Sequence, residues 1–325
     1  MTAKKIMSQK NAVSRYFFAP VAICFLFALL CKNPQIAIDY IKRGLSICAS
    51  SIIPSLFPFM VLSDLAVSTG AASLVAKYLG APISRLLGVS RNGACPIILG
   101  VLCGFPVGAK SAISLFDRGV ISKRECERLL VVCNIPSIGF VVNIVGGAVF
   151  QSAAVGWLLW LSALISSIVS GVLRRLGGKI KKETPQASPE YLEKAPFASS
   201  FTRAVESSAH STIVICAYVL FFSALLGAAR EALTSVGAPD AIRILMCGII
   251  ELTGGCVEAS SITNVITRAA LCAFFVGWSG ISVHFQIFSI CEGRGIKFKG
   301  YIASKLFQGA LCSLIASVAL AIVNR

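Results

Sequence analysis

The residues with the strongest claim to chemistry sit where charge is expensive. Lys110, Glu251, Glu258 and His284 lie within or at the edge of long apolar stretches, in company with Asn134, Ser137, Ser260, Ser279, Ser282 and Gln286. An ionised side chain at membrane depth is costly unless paired or used, so Glu258 and Glu251 are candidates to carry a coupling proton or ion. Gly104 and Gly108 flank Pro106, and Gly254-Gly255 interrupts a second apolar stretch. Proline and glycine at that spacing break a helix, and the freed N–H groups at a half-helix start attract anions. Substrate contact is therefore assigned to Gly104, Gly108, Lys110, Asn134 and Ser137 around the first break. Around the second it is assigned to Gly254, Gly255, Ser260, Ser279, Ser282, His284 and Gln286.

Plainer readings stand beside these. Gly104-x-x-x-Gly108 is a packing motif between membrane helices, and a Ser hydroxyl in such a helix bonds back to its own backbone. Lys110 can snorkel to the interface, His284 can serve as an interhelical hydrogen bond, and Glu251 and Asp64 can sit at membrane edges. Pro54, Pro58 and Pro136 can act as kinks alone.

Composition fixes the class. Of 325 residues 56% are hydrophobic and 14% charged, with mean hydropathy +0.82, against about 25% charged in a soluble domain. The net charge of +16 comes from Lys and Arg in short gaps between apolar runs, the pattern of positive-inside loops and not of a nucleic-acid-binding face. Runs this long exclude a transmembrane β-barrel. The odd count of 13 Cys without a Cys-x-x-Cys reads as small buried hydrophobes, and His210 and His284 alone cannot build a metal site. No hydrolase signature or phosphate-binding loop occurs, so the chain is expected to be neither an enzyme nor an ATP-driven pump, and to need no cofactor. The partners implied are a small anionic metabolite and the lipid bilayer.

Helices must position these residues. Tyr16–Cys31 follows a basic N-terminus and is taken as a retained first helix with its start in the cytosol. Gly44–Val67 is the second span, Ala71–Leu87 an interfacial amphipathic segment, and Ala94–Phe116 two half-helices joined at Gly104–Lys110. Ser122-x-x-Glu125 opens a helix predicted to run to Phe150, with Leu129–Phe150 as a span, and Ala153–Leu173 is the cleanest span. Then come Ala209–Ala229, Ala241–Ile266 broken at Thr253-Gly254-Gly255, Ala269–Cys291 broken at Gly277–Gly280, and Ile302–Val323. The boundaries are an N-terminal basic segment with first helix (1–43), a first repeat (44–173), a cytosolic basic linker (174–198) and a second repeat (199–325). Tracing basic loops to the inside gives the halves opposite orientation. The predicted fold is an all-α polytopic membrane protein, about seven transmembrane helices plus two re-entrant hairpins in an inverted repeat.

Pro54-Ser55-Leu56-Phe57-Pro58-Phe59, Gly104-Phe105-Pro106-Val107-Gly108-Ala109-Lys110, Gly119–Lys123 leading into Cys133-Asn134, and Gly280-Ile281-Ser282-Val283-His284-Phe285-Gln286 resemble the YlbJ family of sporulation membrane proteins with a nucleoside-recognition (Gate) domain. The similarity runs from about Gly44 to the last helix; the chain departs from the commoner pattern at Asn134-Ile135, where a second Asn is expected. The resemblance implies a fold similar to concentrative nucleoside transporters and movement of dipicolinic acid across the mother-cell-derived membrane around the forespore. It leaves room for a homo-oligomer or sporulation membrane partners. A non-transporting envelope-assembly scaffold and a nucleoside transporter are the alternatives.

Overall fold

The computed structural model describes residues 20–323 apart from 22 and 177–195, so the basic N-terminus and most of the 174–198 linker lie outside the described residues. Every regular element among the described residues is helical. Helix α1 (Ile23–Lys32) bends by 95° into α2 (Pro34–Ile47), with Pro34 in the first turn where its missing N–H costs nothing. The second helix therefore starts at Pro34, ahead of the predicted Gly44. A π-helical turn at Cys48–Ile52 carries α2 into α3 (Ile53–Ser68), and Pro54 sits at the start of α3 just beyond that turn. Short helices α4 (Ala72–Tyr78) and α5 (Gly80–Leu87) follow, separated near the predicted Gly80-Ala81-Pro82.

Next come the half-helices α6 (Ala94–Cys103) and α7 (Val107–Asp117), broken where Gly104 and Pro106 predict. Helix α8 (Lys123–Val132) begins at the predicted cap: Ser122 Oγ accepts from the Glu125 N–H at 3.2 Å. The Glu125 carboxylate does not close the box but reaches out to the Ser90 N–H at 2.7 Å, tying α8 to the turn before α6. Ser122→Ala is expected to cost about 1 kcal/mol, read as a lowered unfolding temperature in detergent.

The expected continuous Leu129–Phe150 span is not formed. Helix α8 stops at Val132, residues Asn134–Ser137 are unwound, and the chain resumes as a π-helical segment, Phe140–Val149. Pro136 has no N–H to give and pushes Ile135 towards extended backbone, so it terminates the helix here where a simple kink was the alternative. The remaining elements are α9 (Ala153–Leu176), α10 (Phe197–Ser235), α11 (Asp240–Ile250), α12 (Leu252–Ala259), α13 (Val265–Trp278), α14 (Gly280–Ile290) and α15 (Lys299–Val323). Helix α10 has 39 residues, about 58 Å at 1.5 Å per residue, and so projects well beyond the roughly 30 Å apolar layer. Among the described residues four helices, Ala153–Leu176, Phe197–Ser235, Val265–Ile290 and Lys299–Val323, are long and apolar enough to cross a membrane. Two bent pairs raise that to six if each is one span.

Long-range contacts sort the helix ends onto two faces. On the first, Arg294 grips Asp117 with paired bonds of 2.7 and 2.8 Å, the Lys297 N–H donates to Glu127, and Arg174 donates to Ser304 at 2.8 Å. On the second, Lys32 meets Ser235, Arg230 pairs with Glu258 at 2.7 Å, and Arg268 donates to the Val149 carbonyl while lying over the Phe150 ring. Helices α9 and α14 thus end at the face where α10 and α15 begin. The α6–α7 pair starts and finishes at the first face, and α11–α12 at the second.

Candidate functional site

The two broken segments of the first half cross. Gly104, with φ +79°, lets α6 end and turn, and the Phe105 N–H then donates to the Ile135 carbonyl at 2.8 Å. A Cβ on Gly104 would strike the Ser137 backbone, and one on Gly100 or Gly108 would strike the Cys133 carbonyl. Glycines spaced by four thus make a trough for the unwound strand. Gly104 and Gly108 serve close packing, the plainer of the readings available to them.

Unwinding leaves carbonyls without their i+4 partners, and other elements satisfy them. Gln308 Nε2 donates to Val131 (2.8 Å), Ser167 Oγ to Val132 (2.9 Å), Lys305 Nζ to Asn134 (2.8 Å) and Trp160 Nε1 to Pro136 (3.2 Å). Asn134 is fully buried; its amide donates to the Leu130 carbonyl at 2.7 Å, and its Oδ1 has no partner. Ser137 caps the π-helical segment through the Phe140 N–H.

The second half repeats the crossing with different chemistry. The break falls at Glu251, not at the predicted Gly254-Gly255, because the Glu251 carboxylate can start a helix itself. It accepts from the Thr253 N–H (2.9 Å) and the Gly254 N–H (2.6 Å), so Gly254 belongs to the first turn of α12. Gly255 lies against Gly248, where a side chain on Gly255 would keep α11 and α12 apart, while one on Gly248 would strike the Phe275 ring of the next helix. Opposite, Ser279 (φ +78°) and Gly280 (φ +76°) break the α13–α14 span, and a Cβ on Gly280 would come within 2.9 Å of the Leu252 nitrogen.

The remaining predicted residues are dispersed. Ser282 and Gln286 are buried on α14 and face each other at 3.5 Å. His284 Nδ1 meets the Tyr301 hydroxyl at 3.2 Å, the Trp278 ring stands edge-on at 4.3 Å, and His284 Nε2 and the Ser279 hydroxyl are buried without partners. Ser260 is exposed and bonds back to Val257, and Glu258 is held by Arg230 towards the second face, apart from the crossing.

Lys110 is buried and lines a cavity of about 1160 Å³ that opens beside Asp117 and Arg294 on the first face. Its ammonium pairs with Asp64 at 2.8 Å and donates to Ser208 at 3.1 Å. Arg118, Arg203 and His210 also line this space, and no ion pair among the described residues gives Arg118 or Arg203 a carboxylate. Asp64 is therefore a wall residue of the cavity with a specific cationic partner.

Lys305, Gln308 and Tyr301 are fully buried on α15 and escaped sequence reasoning. The available signal was Lys305-x-x-Gln308 within the last apolar run, a spacing that puts a cation and an amide on one helix face.

No family model matches the chain, and no solved structure matches it. YlbJ of Bacillus subtilis (strain 168), a sporulation integral membrane protein, is 28% identical to it over 89% of this chain and 79% of that protein. The similarity read from the motifs extends over nearly the whole length of the chain. With an integral membrane protein as its relative and four to six candidate spans of its own, the chain is a membrane protein.

Proposed function

We propose that this chain, a relative of a sporulation integral membrane protein, is a transporter of a small anionic metabolite and not an enzyme. The anion is dipicolinic acid, moved across the mother-cell-derived membrane around the forespore. The observation that carries the reading is the cavity on the first face. It reaches from Arg118, Arg203 and Arg294 to Lys110 on α7, the half-helix that begins at the first crossing. Arg118 and Arg203, which have no carboxylate partner, concentrate anions around such a vestibule, and dipicolinate is a dianion at neutral pH.

The architecture proposed is the inverted repeat. In its favour, α9 and α15 run in opposite directions, and one broken hairpin starts and finishes at each face. Positive-inside placement makes the first face cytosolic, since Lys123, Arg128, Arg174, Arg294 and Lys297 gather there. A similarity to concentrative nucleoside transporters, with a nucleoside-recognition domain, belongs to the same proposal. Within it the substrate contacts are Lys110 and the buried polar groups of Asn134, Ser279 and His284; Glu258 and Glu251 remain the proposed ion-coupling carboxylates.

The test is uptake of dipicolinate into liposomes holding the purified protein, with uridine as competitor and with and without a pH gradient. The expected result is dipicolinate entry that uridine does not inhibit. Entry inhibited by uridine would move the substrate to nucleosides. One observation favours a second reading, a non-transporting scaffold: the protein's own groups satisfy the carbonyls at the first crossing. Folded protein that passes neither solute would establish that reading.

A further inference from the structure

We infer that Lys305 is the buried cation that receives a carboxylate of the transported anion, giving up its present bonds to Asn134 and Gln308 to do so. The inference rests on the transport reading and adds to it the residue and its charge. Lys305 is 1% exposed, and its ammonium is held by neutral acceptors only, the Asn134 carbonyl at 2.8 Å and Gln308 Oε1 at 3.0 Å. Three other cations have carboxylates: Lys110 has Asp64, Arg230 has Glu258, Arg294 has Asp117. No ion pair among the described residues involves Lys305.

An ammonium is a poor choice if the task is only to hold a carbonyl. Gln308 does that for Val131, Ser167 for Val132 and Trp160 for Pro136, each without bringing a charge into the bundle. The surroundings are also short of acceptors. The Ser279 hydroxyl and His284 Nε2 are buried without partners, and His284 Nδ1 shares a hydrogen bond with the Tyr301 hydroxyl. Tyr301 stands one turn before Lys305 on α15, so His284 and Lys305 belong to one buried cluster. The ammonium has three N–H groups and two bonds, so one N–H is left to meet an anionic acceptor, and Asn134 Oδ1, on the residue whose carbonyl it already holds, has no partner. Lys305 does not line the cavity, so the crossing must part to admit the anion, and the bond it must break is the one from Lys305 to the unwound strand.

The test measures binding of dipicolinate, with two carboxylates, and picolinate, with one, to the purified full chain and to K305R, K305Q and Q308E. K305Q keeps an N–H donor for the Asn134 carbonyl and removes the charge. It should melt near the wild type yet lose at least about tenfold in dipicolinate affinity, while K305R stays within a few fold. Q308E places a carboxylate at an atom already 3.0 Å from the ammonium; it should occupy Lys305 and lower dipicolinate affinity, while giving up the amide donor to the Val131 carbonyl and so some thermal stability. Wild-type affinity in folded K305Q, or in Q308E should K305Q not fold, overturns the assignment to Lys305 while leaving transport intact. A wild-type protein that binds neither probe overturns the transport reading itself.

Discussion

Asp64→Asn is expected to destabilise the protein by about 3 kcal/mol, the cost of leaving a buried cation without its partner. The Lys110 and Asp64 side chains are only 10% and 13% exposed, and without the carboxylate the ammonium keeps just the Ser208 hydroxyl. Exposed ion pairs contribute about 1 kcal/mol or less. The low exposure places this pair with the buried kind despite the adjoining cavity. Adding Lys110→Met to Asp64→Asn should restore most of the loss, because removing both charges removes the desolvation penalty with them. Thermal unfolding of the purified single and double variants in detergent forms the cycle. A single variant as stable as the wild type would mean that cavity water solvates the ammonium and that the pair carries little energy.

Gly108→Ala and Gly104→Ala should each cost about 3 kcal/mol or more and yield little monodisperse protein on size exclusion. The added methyl meets backbone in both cases, Cys133 for Gly108 and Ser137 for Gly104, and backbone cannot swing aside as a side chain can. Gly104 also requires φ +79°, which a β-carbon disfavours. Gly119 separates these causes: its φ is +70° but nothing lies within 4 Å of its would-be Cβ. Gly119→Ala should therefore cost only about 1 kcal/mol. Equal losses at Gly104 and Gly119 would show that torsion alone matters and that the trough is not tightly filled.

Much of the frame was legible because membrane helices announce themselves by apolar length and end at basic residues. The first break was legible because Gly104 and Pro106 act locally. The break after Val132 was not, since Ser122 and Glu125 promise a helix and Pro136 could have been a mere kink. Its unwinding depends on Gln308, Trp160 and Lys305, between 24 and 177 positions away. At the second break the glycines were visible but misplaced the discontinuity by about a turn, because a carboxylate that caps its own following helix leaves no apolar-pattern signal. Lys305 was lost among the basic residues that mark the start of the last span.

The way α15 completes the first crossing bears on how the chain is made. Until Lys305 and Gln308 enter the membrane, the Asn134 and Val131 carbonyls have no donors from their own half, and lipid offers none. The first half, although synthesised long before, therefore cannot reach its final form alone. It must wait, partly unwound and in need of shelter from lipid or from the quality-control machinery, for a helix translated last. Assembly of this protein is thus gated by the end of its own synthesis, and a ribosome that stalls before Lys299 leaves behind an insertion intermediate with exposed polar backbone.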